Sequence, residues 1–253
     1  MPEPNEEIWR ASEKVFKEKW NFPHCVAAID GKHVRIKAPP HRGSEFFNYK
    51  KYHCVVLLAL VDANKRFLTV DVGQYGRVRD GNMFANSNIA MRLARQNWWK
   101  FRGRPFTIHR NWGRAFPLKK YLMRPYPRST RRLSEAERIF NYRLSRSRNT
   151  VENASGILAN TWRIYQRPFE CRVQLYDKLI LATVVLHNYI LESPTENNPA
   201  LGEEQTNPLV RMHIAAATNS TREALDVRKS FMKYFMSNEG HVEWQKRVVN
   251  SVN

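Results

Sequence analysis

Two carboxylates and one basic loop are the places where this sequence could do chemistry. Asp30 follows the apolar run CVAAI and precedes Gly31, which predicts a strand turn or end with the carboxylate at a sheet edge. Glu152 lies within SRSRNTVENASGIL, in a helical stretch where Arg148 and Gly156 share its face at i−4 and i+4. Carboxylates placed at such ends are what phosphoryl-transfer enzymes use to hold divalent ions. The stretch PFTIHRNWGRAFPL, residues 105–118, has the form of a third such place, a short strand running into a loop. It carries His109, Arg110 and Arg114 and no carboxylate. Guanidinium groups there repel a divalent cation and attract phosphate. Each carboxylate also has a plainer reading. Asp30 could be a turn aspartate, and Glu152 one half of a surface ion pair with Arg148, which contributes only about 0.3–0.5 kcal/mol.

Phosphate contacts have many candidates. Residues 124–148 hold eight arginines, Arg131, Arg132, Arg143, Arg146 and Arg148 among them, and with Arg110 and Arg114 they form the predicted nucleic-acid-binding set. Residues 92–104 add further cations interleaved with Trp98, Trp99 and Phe101, rings able to stack on bases if exposed. No element carries a base-reading motif, so binding is expected to be salt-sensitive and weakly sequence-specific.

The whole composition agrees. The 253 residues carry 42 Lys and Arg against 23 Asp and Glu, a net charge of +19, and self-repulsion of that size calls for a polyanion. With 42% hydrophobic residues the chain can build a large core, which argues against wholesale disorder. Three scattered cysteines and no CxxC pair suit a reducing compartment, and the eight histidines lack zinc spacing. The first residues, MPEPNEEIWR, are polar and acidic, unlike a signal or transit peptide. The longest apolar run, LILATVVLHNYIL at 179–191, is too short to span a bilayer and predicts a buried helix. A soluble intracellular protein with no membrane partner is expected.

The elements that must position these residues follow from periodicity. A helix is predicted over residues 5–20, a strand over CVAAIDGKHVRI, and a hairpin over YHCVVLLALVDANKRFLTVDVG turning at Asp62-Ala63-Asn64. A helix over FANSNIAMRLARQNWW and the short strand FTI come next. The capping-box pattern Ser134-Glu135-Ala136-Glu137 starts a long helix to about residue 165, followed by a helix at 175–191 and another in TREALDVRKSFMKYFM. Strands first and helices after predict an α/β layer fold with one mixed sheet, the first three strands antiparallel neighbours.

Six blocks carry a more specific signal. AIDGKHVRI, NYKKYHCVVLLALVDANKRFLTVDVG, RVRDGNMFANS, AFPLKKYLMRPYP, RIFNYRLSRSRNTVENASGILAN and VVLHNYI occur in this order. Together they closely resemble the DDE domain of Harbinger-type transposases and the nuclease-like proteins derived from them, from about residue 5 to residue 191. The resemblance implies an RNase H-like fold and a nuclear protein acting on DNA. It implies catalysis by two aspartates and a glutamate that hold two Mg²⁺ or Mn²⁺ ions. Two such ions must touch both attacking and leaving oxygens, and each takes only one or two carboxylates.

Carried over by motif, the first aspartate is Asp30 and the glutamate is Glu152. The second aspartate falls at Gly113, in Trp112-Gly113-Arg114-Ala115-Phe116-Pro117-Leu118. The expected metal ligands are therefore Asp30 and Glu152, with Gly113 a lost-ligand position and divalent-ion binding weakened. Ser155 stands where the family usually has an aromatic residue, and Arg79 where it has a small or imidazole side chain. Asp80, in VRDGNMF, matches another acidic position of the family and is the remaining candidate for a third catalytic carboxylate; its plainer role is to cap the following helix.

The expected units are an opening helix (1–22), the RNase H-like domain (23–192), a linker or exposed loop (193–208) and a C-terminal helical tail (209–253). Two functions follow, beside a third reading, a decaying element-encoded product with no host role. One is a transposase-derived DNA-binding protein with a degraded metal site. The other is a working Mg²⁺-dependent nuclease using Asp30, Asp80 and Glu152. In either, sequence-specific DNA recognition is expected from a separate partner protein.

Overall fold

A computed structural model describes residues 3–41, 43–48, 50–75, 84, 86–95, 107–110, 118–127, 132–193, 210–211 and 220–251. The first helix, α1 (Glu6–Trp20), is capped by the Asn5 side chain on the Ile8 amide and ends at Asn21 in a left-handed conformation. Strand β1 (Cys25–Arg35) follows, then a short helix α2 (Gly43–Phe46) and the hairpin β2 (Cys54–Val61) and β3 (Phe67–Tyr75). The hairpin turns where predicted, because the Asp62 carboxylate accepts from the amides of Asn64 and Arg66 at 2.8 and 2.9 Å.

Helix α3 (Asn88–Arg95), strand β4 (Thr107–Arg110) and strand β5 (Leu122–Met123) lead to the long helix α4 (Glu135–Thr161). The predicted capping box is present: Ser134 accepts from the Glu137 amide and Glu137 reaches back to the Ser134 amide. α4 ends at Thr161, earlier than the predicted residue 165, and the chain continues as a 3₁₀ turn, Arg163–Gln166. Helix α5 (Val173–Glu192), strand β6 (Val210–Arg211), helix α6 (Arg222–Met236) and helix α7 (Gln245–Ser251) complete the order.

The sheet is mixed and runs β3-β2-β1-β4-β5, with β6 added beside β1. The first three strands are antiparallel neighbours, as predicted; β1, β4 and β5 are parallel. β1 is thus the central strand, flanked by β2 on one side and by β4 and β6 on the other. Ten of its eleven residues are buried. The larger core lies on the face that carries Ala28 and Val34, where Val151, Ala154 and Leu158 of α4, Ile180 and Val184 of α5, and Phe231 and Phe235 of α6 pack. The smaller core, on the other face, joins Trp9 of α1 and Ile89 and Leu93 of α3 to Ile29, Leu58 and Leu60. The C-terminal helices therefore close the main core against α4. No helix among the described residues is long and apolar enough to cross a membrane.

His33, in the buried second half of β1, places its Nδ1 3.1 Å from the Cys54 thiol, and burial pushes its pKa from 6.5 down to about 4. The unfolded chain then binds the extra proton between those values. Stability contributed by neutral His33 is complete above pH 6.5 and lost as pH falls toward 4, by on the order of 3 kcal/mol. Urea denaturation of His33→Phe should show a flatter stability profile from pH 4 to 6.5 than the parent. An unchanged profile would assign the acid sensitivity to other groups.

Candidate active site

Asp30 does not stand at a strand end. It sits in the middle of β1, opposite Ala59, and Gly31 continues the strand opposite Leu58. This corrects the expectation of an Asp-Gly turn. The chain runs on because the next residue on the same face is a cation. Lys32 lies two positions along, so it points the same way as Asp30. Its ammonium is 2.9 Å from Asp30 Oδ2, with the two side chains only 2% and 9% exposed. The charge that would have broken a strand is neutralised inside it. Lys32 was legible in the sequence as a cation at i+2 from the aspartate, and its spacing was the signal to read.

Glu152 is held by the cation of its own helix. Arg148 Nη2 is 2.5 Å from Glu152 Oε1, the i,i+4 pair anticipated from spacing. It is no surface pair, since the arginine side chain is 6% and the glutamate 14% exposed. Its neighbours Val151 and Ala154 belong to the core that also contains Ala28 and Val34 of β1. Asp30 and Glu152 therefore come from two elements packed on one side of the sheet. Ser155, one turn on, is buried and donates back to the Val151 carbonyl at 2.8 Å.

The basic loop begins beside this strand. β4 pairs with β1 in parallel, Ala28 with His109 and Ile29 with Arg110. The paired register of the two strands ends one residue short of Asp30. Gly113 and Arg114 lie outside the described residues, as do Arg79, Asp80, Arg131, Trp98 and Trp99. The capping role weighed for Asp80 lies outside the described residues with it. α3 starts at Asn88, whose amide donates to Asp71 Oδ2 at 2.6 Å, while the Ser87 hydroxyl accepts from the Ala90 amide at 3.0 Å.

The arginines divide. Arg132 is exposed, and Arg146 lies over the Trp244 ring at 4.3 Å. Arg143 and Arg148 are buried, which corrects their assignment to the phosphate-binding set. Arg148 is spent on Glu152. Arg143 donates to the carbonyls of Gly240 (2.6 Å) and Asn21 and to Gln245 Oε1 (3.1 Å), and stacks on Phe235. It ties α4 to α1, α6 and α7.

A family model described as DDE superfamily endonuclease matches residues 29–188. The chain belongs to this family. It is also 28% identical over 189 residues to "Protein ALP1-like" of Arabidopsis thaliana, a match that takes in 70% of this chain and 45% of that protein. The chain thus spans under half the length of that relative. No solved structure matches it. The transposase-derived group expected from the motifs is the one these similarities support.

Members of the DDE superfamily generally use divalent ions, and the donor set here can be tested for one. A hard cation needs carboxylate oxygens turned toward it and tolerates no ammonium at contact distance. Asp30 has Lys32 at 2.9 Å and Glu152 has Arg148 at 2.5 Å. Among the described residues no group of three or more His, Cys, Asp or Glu side chains gathers. The described residues, so arranged, do not fit a divalent ion.

If the pair neutralises the strand, its halves depend on each other. Lys32→Met should lower stability by about 3–5 kcal/mol, because it leaves Asp30 buried without its cation. The double variant Asp30→Asn with Lys32→Met should cost clearly less than the single change. Urea titrations of the four proteins measure this, and additive losses would mean the two side chains do not act together.

Proposed function

We propose that this DDE-family, nuclease-like protein binds nucleic acid and does not cleave it. The observation that carries this reading is the Lys32 ammonium lodged against Asp30, where the family's chemistry calls for a metal. A second internal cation, Arg148, holds Glu152, and Gly113 stands at the place of the second aspartate. An RNase H-like description of the domain belongs to the same proposal. Its support is the sheet order, three antiparallel strands continued by two parallel ones, with the long helix packed across the central strand.

Retention of the fold without the metal site is consistent with a binding role. The net charge of +19 provides the attraction, even with Arg143 and Arg148 committed to the interior. DNA is the proposed polyanion, contacted through phosphates by Arg132 and Arg146 together with Arg110, Arg114 and Arg131. A separate DNA-binding partner would direct the protein to its sites, in the nucleus.

The decisive experiment is nicking of supercoiled plasmid in Mg²⁺ or Mn²⁺ by this protein and by Glu152→Gln. Neither is expected to cleave, while both retard DNA in a way that weakens steeply as salt rises, since each phosphate contact releases counterions. Cleavage by the parent that disappears in Glu152→Gln would establish the alternative, an active nuclease using Asp30, Asp80 and Glu152. A flat salt response would remove nucleic acid as the reason for the charge.

A further inference from the structure

Helix α5 has a second apolar face that its own fold leaves uncovered. Tyr176, Ile180, Thr183, Val184 and His187 point into the core. Outward, Leu175, Lys178, Ala182, Val185, Tyr189 and Glu192 recur at alternating spacings of three and four residues, and every one is exposed. Leu181 and Leu186 widen this face and are exposed too. Of the ten large hydrophobic side chains exposed among the described residues, five lie on this one helix, Tyr189 at 69%. The apolar run expected to be wholly buried is buried along one side only. A spacing that averages 3.5 residues is that of a helix-pairing seam, with the inward residues at the positions between.

We propose that this seam pairs with the same seam of a second copy of the chain, antiparallel, about a two-fold axis passing between Ala182 and Val185. The face is complementary to itself in that arrangement. Ala182 meets Val185, a small residue against a β-branched one, which lets the helix axes approach to about 8 Å. Leu181 meets Leu186, and Leu175 meets the aliphatic stem of Glu192. Lys178 lies over the Tyr189 ring, a cation on an aromatic face.

Charge selects the direction. A parallel pair sets Lys178 against Lys178 and Glu192 against Glu192. The antiparallel pair places Lys178 one turn from Glu192 of the other copy, which is itself ion-paired with its own Arg66 at 2.6 Å. The same patch used on both copies closes the symmetry at two, with no open-ended growth.

Sedimentation equilibrium of the full chain at raised salt tests this. A dimer is expected, and Val185→Glu should weaken it by about 100-fold or more, as expected for charging the centre of an interface. Its thermal unfolding should remain that of a folded chain, because Val185 is 46% exposed. Leu225→Glu, at another exposed apolar side chain, should leave the dimer intact. In a Cys171→Ser background, mixing Ala182→Cys with Val185→Cys chains should give cross-links between the two kinds of chain. A monomer at every concentration, a dimer that survives Val185→Glu, or cross-links only between like chains would overturn the proposal. So would a monomer whose α5 face is occupied by a different protein.

Discussion

The ion pair between Asp30 and Lys32 is the constraint around which the structure is arranged. Removing either charge from water costs several kcal/mol, and the partner at 2.9 Å helps to offset it. β1 is hydrogen-bonded to three other strands, so its register cannot relax independently of theirs. A slip of one residue would turn both charges into the opposite core, among Ile29, Leu58 and Leu60. The pair therefore helps to fix which face of the central strand meets α4.

Helix α4 repeats the arrangement on a larger scale. It brings Arg148 to Glu152, and Arg143 to carbonyl oxygens from the end of α1 and the turn after α6. These arginines are internal fasteners. A buried guanidinium with several oxygen partners keeps its charge satisfied and fixes its side chain. The excess charge visible in the sequence is thus not all surface charge. What remains outside is still strongly positive.

A basic surface and an apolar helix face make different demands. The first seeks phosphate and loses strength in salt, while the second seeks another apolar face and does not. A dimer built on α5 would present two copies of the basic surface on one assembly, and if that surface binds DNA as proposed, the two joined would bind one DNA far more tightly than either alone.

The sequence by itself determined the order of the longer elements, the hairpin turn at Asp62, the capping box at Ser134 and the family. Each depends on residues near one another in the chain or on a recurring ordered pattern. It also foretold the Arg148–Glu152 contact, since four residues on a helix are one turn. Only the tertiary structure decided where the charges lie. Asp30 looked like a turn residue because Asp-Gly favours turns locally; pairing with β2, β4 and β6 overrode that preference once Lys32 balanced the charge. Arg143 looked like a phosphate ligand because sequence shows charge and not burial. Its partners lie about a hundred positions away, at Asn21 and Gly240. The outward seam of α5 was hidden for the same reason: an apolar run states that a helix must be covered, and the fold states which side it covers itself.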